Sequence, residues 1–145
     1  MIGLLQRVST ASVAVAGLRI AEIGRGLVVL VAVVREDTAR DAQRLAERIL
    51  GYRVFPYAGG RMNLSLSAAG GSLLLVPQFT LAADTRKGTR ASFSGAASPE
   101  QGRQLFDHLL RTCERQLGTV ASGRFGADMQ VSLVNDGPVT FWLES

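Results

Sequence analysis

The stretch L-V-V-L-V-A-V-V, from Leu27 to Val34, is the longest apolar run in the chain and is rich in β-branched residues. A half-exposed strand alternates apolar and polar residues, so an uninterrupted run of this kind is typical of a strand that is buried on both faces. A second run, Ser72 to Val76, follows the glycine pair Gly70-Gly71. The sequence therefore predicts two buried strands.

Two other segments have the residue spacing of amphipathic helices. In the first, Asp37 or Thr38 caps a helix that places apolar residues on one stripe and charged residues outside it. The second begins at Ser98-Pro99-Glu100-Gln101, where serine is the cap and proline the first helical residue. Its apolar stripe consists of Leu105, Phe106, Leu109, Leu110 and Cys113.

Further short strands are predicted near residues 2–9, 11–24, 53–55, 119–125, 128–134 and 139–144. The polar segment from Ala82 to Ala97 predicts a long surface loop, and loops of that length are usually functional or disordered. We find no internal repeat and no linker. We therefore expect residues 1–145 to form a single α/β domain, rich in antiparallel strands, with two amphipathic helices.

Composition limits the possible classes of protein. The chain is 47% hydrophobic and 19% charged, which favours a globular protein over a disordered one. Its single cysteine excludes an internal disulfide, its N-terminus lacks a secretory pattern, and its longest apolar run is too short to span a bilayer. We expect a cytoplasmic protein without a membrane partner. The net charge of +4 permits an anionic partner such as RNA but identifies none.

Few side chains are available for metal or nucleophilic catalysis. His108 and Cys113 are the only histidine and the only cysteine, so the usual zinc patterns are excluded. We interpret them as a boundary residue and a buried structural thiol. Gly24-Arg-Gly26 precedes a strand, whereas a nucleotide-binding loop follows one. We expect no metal and no cofactor, which leaves backbone N–H groups, hydroxyls, amides and the substrate's own groups for any chemistry.

Near the C-terminus, the segment V-N-D-G-P-V-T-F spans Val134 to Phe141. Asn-Asp-Gly between β-branched runs predicts a hairpin turn, because asparagine and glycine tolerate positive φ. Proline cannot donate to a β-ladder, so Pro138 is expected at the first position of a closing strand. On these residues alone, a trans Gly137–Pro138 bond is expected, since only about 5–6% of such bonds are cis.

Two motifs, Pro77-Gln-Phe-Thr-Leu81 and Asn135-Asp-Gly-Pro-Val-Thr140, occur in this order along the chain. Together they resemble the Ser-Gln-Phe-Thr-Leu and Asn-x-Gly-Pro-Val-Thr signatures of the D-aminoacyl-tRNA deacylase family. The likeness extends from Gln6-Arg-Val to the final strand. It implies a mixed α/β fold, with largely antiparallel sheets in a barrel-like core and two helices packed outside.

The resemblance also implies a function. Members of the family are homodimers that hydrolyse the ester between a D-amino acid and the terminal adenosine of tRNA. It implies that Gln78, Phe79 and Thr80 form the catalytic pocket, and that a cis Gly137–Pro138 step from the other subunit rejects L-amino acids through its carbonyls. Hydrolysis then depends on backbone groups and the RNA's 2′-hydroxyl. Whether glycine mischarged on tRNA(Ala) is also removed is left open.

Other residues have both a structural and a functional interpretation. Met129 is either simple core or, by resemblance, a pocket wall, and Asn135 is expected to bind substrate beside Gly137–Pro138. Arg7 is either an exposed charge or a support for that step. The loop residues Arg86, Lys87 and Arg90 are either solvated charges or phosphate contacts to the tRNA acceptor end.

The chain departs from the family pattern at Pro77, where serine is usual, and at Gly102, where a small alanine is common. Animal L-alanyl-tRNA editing deacylases carry Pro-Gln in the first motif and have relaxed chirality. Phe79 and the second motif match the D-specific group instead. A D-aminoacyl-tRNA deacylase is therefore the leading hypothesis. The alternatives are an editing deacylase with relaxed chirality acting on L-alanyl-tRNA, and a non-catalytic tRNA-binding module.

Overall fold

A computed structural model describes all 145 residues, which form eight strands and three helices. The strands are β1 (Ile2–Val15), β2 (Leu18–Ile23), β3 (Gly26–Ala32), β4 (Phe55–Pro56), β5 (Met62–Leu64), β6 (Ser72–Pro77), β7 (Ala121–Ser122) and β8 (Gln130–Glu144). The helices are α1 (Ala39–Gly51), α2 (Leu66–Ala69) and α3 (Pro99–Leu117). A 3₁₀ turn spans Phe79–Ala82.

The main sheet is organised around β1, which pairs with three strands. On one side, β1 pairs antiparallel with β3 along its first half and with β2 along its second half. On the other side it pairs antiparallel with β8. From β3 the sheet continues in parallel to β6 and then to β7. Strand β2 contacts β6 and β7, so the sheet curls into a nearly closed barrel.

The parallel strands β3 and β6 each face two apolar cores. Val29 and Leu75 belong to the larger core, which includes residues of α1 and α3. Val28 and Leu74 belong to a smaller core inside the curled sheet. Side chains alternate across a strand, so burial on both faces requires an uninterrupted apolar run. The two buried strands predicted from the sequence are therefore confirmed.

Both long helices begin where the sequence predicted. At the start of α1, the Asp41 carboxylate accepts the Thr38 N–H at 2.8 Å, and this hydrogen bond lowers the pKa of Asp41 from its usual value. At the start of α3, the Ser98 hydroxyl accepts the Gln101 N–H at 3.2 Å. The predicted fold class is confirmed, with the short α2 as an additional helix. None of the helices is long and apolar enough to cross a membrane.

Some strand predictions are wrong. Strand β1 continues through the expected break near residue 10, and β7 is shorter than the strand predicted near 119–125. The predicted C-terminal hairpin is also absent, because residues 128–134 and 139–144 fall in or beside the single strand β8. Strand β1 pairs with β8 on both sides of the turn-forming residues, as the pairs Gln6–Thr140 and Val8–Asn135 show. Because β8 pairs with the long strand β1 on both sides of these residues, they form a bulge within the strand and not a hairpin turn.

The two ends of the chain meet at Asp37, in the segment between β3 and α1. The Met1 ammonium donates to Asp37 Oδ1 at 2.7 Å and to Ser145 Oγ at 2.6 Å. Asp37 Oδ2 accepts the Val34 N–H at 2.7 Å. The Asp37 side chain is only 6% exposed, so the ion pair is shielded from water. The Met1–Asp37 ion pair therefore holds the segment that precedes α1 against the two ends of the chain.

We expect Asp37→Asn to destabilise the protein by about 3 kcal/mol, because it leaves the buried Met1 ammonium without a counter-charge. Urea unfolding of the chain with a free Met1 amine measures the loss. The matched control is Glu22→Gln, which breaks the Arg19–Glu22 pair, in which both side chains are 62% exposed. That variant should lose less than about 1 kcal/mol. Equal losses in the two variants would contradict the role given to Asp37.

Candidate active site

A cleft of about 430 Å³ opens where β3 and β6 end. Because these strands are parallel, their carboxyl ends meet at one edge of the sheet, and residues of both line the cleft. The start of α3 and residues 125–131 complete its walls. The lining is mostly apolar, which suits a ligand with a large hydrophobic or aromatic surface.

The 3₁₀ turn after β6 forms one rim of the cleft. The Gln78 N–H donates to the Val31 carbonyl at 2.7 Å, so the last sheet bond fixes the start of the turn. The Gln78 side chain donates to the Thr80 hydroxyl. The N–H groups of Phe79 and Thr80 are the first of the turn and have no acceptor within it. They are therefore available as a pair of backbone donors beside the cleft.

A second wall of the cleft is built from the segment 123–129, which contributes Phe125, Gly126, Ala127 and Met129 to the lining. The Gly123 N–H donates to the Leu75 carbonyl at 2.8 Å, which anchors this segment to β6. A Cβ at Gly123 would lie 2.9 Å from the Met129 sulfur and 3.3 Å from Pro77 Cδ, so a side chain there would have to displace the Met129 side chain. A Cβ at Gly102 would lie 3.2 Å from the Phe125 ring. The small residue at 102 therefore leaves room for the ring at the edge of the cleft.

The second motif forms a bulge in β8. Four residues, 136–139, lie between Asn135 and Thr140, opposite the single residue Arg7 of β1. The Gly137–Pro138 peptide bond is cis, and Gly137 has a φ of +136°. A Cβ at Gly137 would lie 2.7 Å from the Val139 side chain, so both the backbone conformation and the space at this position require glycine.

Two side chains hold the bulge in place. The Asn135 Oδ1 accepts the Val139 N–H at 3.0 Å, while its Nδ2 donates to the Thr140 hydroxyl at 2.8 Å. The Arg7 Nε donates to the Asp136 carbonyl at 3.0 Å and its Nη1 donates to the Val54 carbonyl at 2.7 Å. The Arg7 side chain is only 11% exposed. These contacts replace the ladder hydrogen bonds that the bulge interrupts.

The structure brings only some of the predicted site residues together. Gln78, Phe79 and Met129 line the cleft, and Thr80 lies beside it in the turn. Asn135, Gly137 and Pro138 do not line the cleft of their own chain. The Asn135 side chain already has partners within the bulge, which leaves it a positioning role there.

Several lining residues were not singled out as site residues from the sequence. They include Val31, Val33, Phe106, Phe125 and Gly126. Phe125 had a weak signal, since it stands between arginine and glycine in a segment with few other aromatic residues. The guanidinium carbon of Arg103 lies 4.9 Å from the centroid of this ring, a cation–π contact that helps to hold the ring in place.

The three predicted phosphate contacts lie on an exposed loop that is closed at its base. Asp84 and Ser92 exchange backbone hydrogen bonds of 2.7 Å and 3.0 Å. Arg86 donates from two nitrogens to the Asp84 carboxylate, and these bonds hold the pKa of Asp84 well below its usual value. Lys87 and Arg90 have no ion-pair partner. They are therefore better placed than Arg86 to meet an anion.

Cys113 and His108 lie on α3, away from the cleft lining. Burial raises the pKa of the Cys113 thiol to about 12, so the thiolate needed for nucleophilic attack is scarce near neutral pH. No three histidine, cysteine or carboxylate side chains are grouped closely enough to hold a metal ion.

The family described as D-Tyr-tRNA(Tyr) deacylase matches residues 4–144 of this chain. Two relatives named D-aminoacyl-tRNA deacylase, from Alkalilimnicola ehrlichii and Escherichia coli O81, are 61% and 56% identical to it. These alignments cover 100% and 99% of this chain, and 97% and 99% of the relatives. These matches identify the class of protein as an ester hydrolase. The chain belongs to the D-aminoacyl-tRNA deacylase family.

Two solved structures share the fold. One, named c-Myc DNA unwinding element binding protein, is 37% identical and has a TM-score of 0.95 over 100% of this chain and 99% of that one. The other is described as a probable eukaryotic D-amino acid tRNA deacylase. It has a TM-score of 0.86 at 18% identity, over 99% of this chain and 98% of that one, which supports the fold alone.

We expect Asn135→Ala to lower stability by about 1–2 kcal/mol and to speed hydrogen exchange at the Val139 amide, because that N–H loses its acceptor. Urea unfolding and amide exchange followed by NMR measure the two effects. Asn63→Ala is the control, since Asn63 is exposed and accepts one bond, from Arg53 at 3.3 Å. Unchanged exchange at Val139 would show that Asn135 does not hold the bulge.

Proposed function

We propose that the protein hydrolyses the ester of D-aminoacyl-tRNA to release free D-amino acid and tRNA, and so serves as a chiral proofreading enzyme. The observation that supports this most strongly is the apolar cleft beside the Gln78–Thr80 turn, in a chain of the deacylase family. In this proposal residues 1–145 act as one deacylase domain in the cytoplasm, where charged tRNA is used.

In the proposed complex, the terminal adenosine occupies the cleft. Its volume of about 430 Å³ and its apolar walls suit a nucleoside, and Phe125 offers a ring for the base. The wall at Gly102 is thin because that residue has no side chain. The base would then lie between the start of α3 and residues 125–127.

The proposed chemistry uses the backbone at the rim of the cleft. The N–H groups of Phe79 and Thr80 would stabilise the negative charge that develops on the ester oxygen during hydrolysis. The Gln78 amide holds the Thr80 hydroxyl, which supports a positioning role for this side chain rather than a nucleophilic one. The 2′-hydroxyl of the adenosine would assist water attack, so neither a metal nor a cofactor takes part in the proposed reaction.

We further propose that the enzyme is a homodimer with active sites at the subunit interface. Gly137 and Pro138 lie on an exposed bulge and do not line the cleft of their own chain. The edge of β8 that faces away from β1 has no strand partner, and this strand exposes Val134 and Trp142. A second copy packed there would cover these side chains and carry Gly137 of the partner subunit to the rim of the cleft.

Stereospecificity would then come from backbone groups at the substrate's α-carbon. A filter of this kind contacts the α-centre and leaves the side chain free, so it rejects L-amino acids while accepting many D-amino acids. Achiral glycine carries no side chain to clash, so glycyl-tRNA(Ala) is also an expected substrate. Lys87 and Arg90 would contact phosphates of the acceptor end, which position the RNA without specifying its sequence.

The test is to compare D-tyrosyl-tRNA with L-alanyl-tRNA as substrates of the purified protein. We expect kcat/KM to favour the D-ester by about 10,000-fold. Discrimination of this size is reached when the wrong substrate leaves polar groups of the site unpaired. Comparable turnover of L-alanyl-tRNA would instead establish the relaxed-chirality alternative that Pro77 raises. Binding of tRNA without turnover of either ester would establish a non-catalytic tRNA-binding module.

A pocket-filling variant tests where the adenosine binds. Gly102→Leu adds a side chain that must displace Phe125 or enter the cleft, and we expect kcat/KM for D-tyrosyl-tRNA to fall by about 100-fold. Gly51→Leu is the matched control, because Gly51 ends α1 and has open space around its Cβ position. Equal activities of the two variants would remove the cleft from the proposed mechanism. Thermal unfolding of both variants checks that the fold is retained.

A further inference from the structure

Two phenylalanine rings lie against each other on the surface beside the cleft. Phe79 is 61% exposed and Phe93 is 41% exposed, with ring centroids 5.2 Å apart and planes inclined at 48°. Phe79 also lines the cleft, whereas Phe93 does not. The pair therefore extends an aromatic surface from the rim of the cleft outward.

The backbone holds Phe93 rigidly although its ring is exposed. On one side, Ser92 is hydrogen-bonded to Asp84 in both directions, at 2.7 Å and 3.0 Å. On the other, the Gly95 carbonyl accepts the Arg35 N–H at 3.0 Å, and the Ala97 N–H donates to Val33 at 3.0 Å. Because the backbone is already fixed here, it loses little further conformational freedom when the ring binds a ligand.

Positive charge lies on the loop that leads into Phe93. Lys87 and Arg90 are exposed on the loop closed by Asp84 and Ser92, one residue before Phe93, and they have no acidic partner. Exposed aromatic rings beside unpaired cations form the usual surface for single-stranded nucleic acid: the rings stack on bases and the cations meet phosphates.

We infer that Phe79 and Phe93 form a stacking surface for the nucleobase that precedes the terminal adenosine in the single-stranded 3′ end of the substrate. This inference rests on the proposed function, because it requires the adenosine to occupy the cleft. The base one step outside the cleft then meets the exposed rings, and its phosphate lies toward Lys87 and Arg90. Stacking is tolerant of sequence, since every base has an aromatic face.

The surroundings favour a base over the amino-acid side chain as the occupant. The proposed enzyme accepts many D-amino acids, whereas a surface of two aromatic rings would bind some amino-acid side chains more tightly than others. The cations beside the rings also match a polyanionic chain better than a single amino acid.

The experiment compares D-tyrosyl-adenosine, which lacks the preceding nucleotide, with D-tyrosyl-tRNA. For Phe93→Leu, we expect the fall in kcat/KM to be about tenfold larger on the tRNA than on the adenosine ester. Phe93→Tyr keeps the aromatic face and should restore most of the loss. The matched control is Tyr57→Leu, at an aromatic residue that is 42% exposed on the hairpin of β4 and β5. It should change both substrates equally.

Three results would overturn the inference while leaving the proposed function intact. The first is an equal loss on both substrates. The second is a loss confined to aromatic D-amino acids, found by comparing D-tyrosyl-tRNA with D-alanyl-tRNA. The third is a change in sedimentation of Phe93→Leu, which would place the ring at a contact between subunits. Wild-type protein that cleaves neither D-tyrosyl-adenosine nor D-tyrosyl-tRNA would overturn the proposed function and this inference with it.

Discussion

The parallel pairing of β3 with β6 is the interaction on which the rest of the structure depends. Both strands are covered on both faces, so they join the larger core under the helices to the smaller core inside the curled sheet. Their carboxyl ends necessarily meet at one edge, and the cleft opens there. The last hydrogen bond of this ladder, from Gln78 to Val31, sets the position of the turn that carries the backbone donors. The position of the site is thus a consequence of core packing.

The second structural constraint is the length of β1. A strand of 14 residues can pair with β8 on both sides of an interruption, so Asp136 to Val139 leave the sheet without ending it. The loss of ladder bonds over this bulge is compensated by donors from Arg7 and by both ends of the Asn135 amide. Gly137 is thereby displayed on a rigid support, although it lies in an exposed segment.

Much of this fold could be predicted from local sequence, because the decisive patterns are local. The runs at Leu27 and Ser72, and the helix caps at Thr38 and Ser98, each encode their own structure. The hairpin expected at Asn135-Asp-Gly was wrong because register with a distant strand, β1, decides the conformation there. Phe125 was missed for a similar reason, since only the packing of residues 123–129 against β6 and α3 brings its ring to the cleft.

The proline at position 77 is compatible with the sheet for a geometric reason. Along β6, successive N–H groups point to opposite sides, and the Gln78 N–H points to β3. A donor at residue 77 would therefore point toward β7, which pairs with β6 only at Leu74 and Leu75. Pro77 leaves the bonds to β3 intact but lacks the N–H that would extend the β6–β7 pairing to Gly123, and its ring lies beside Gly123 in the cleft wall. Its direct effect is thus on the shape of the wall near Met129, while the bulge at Gly137 is held by residues that Pro77 leaves unchanged.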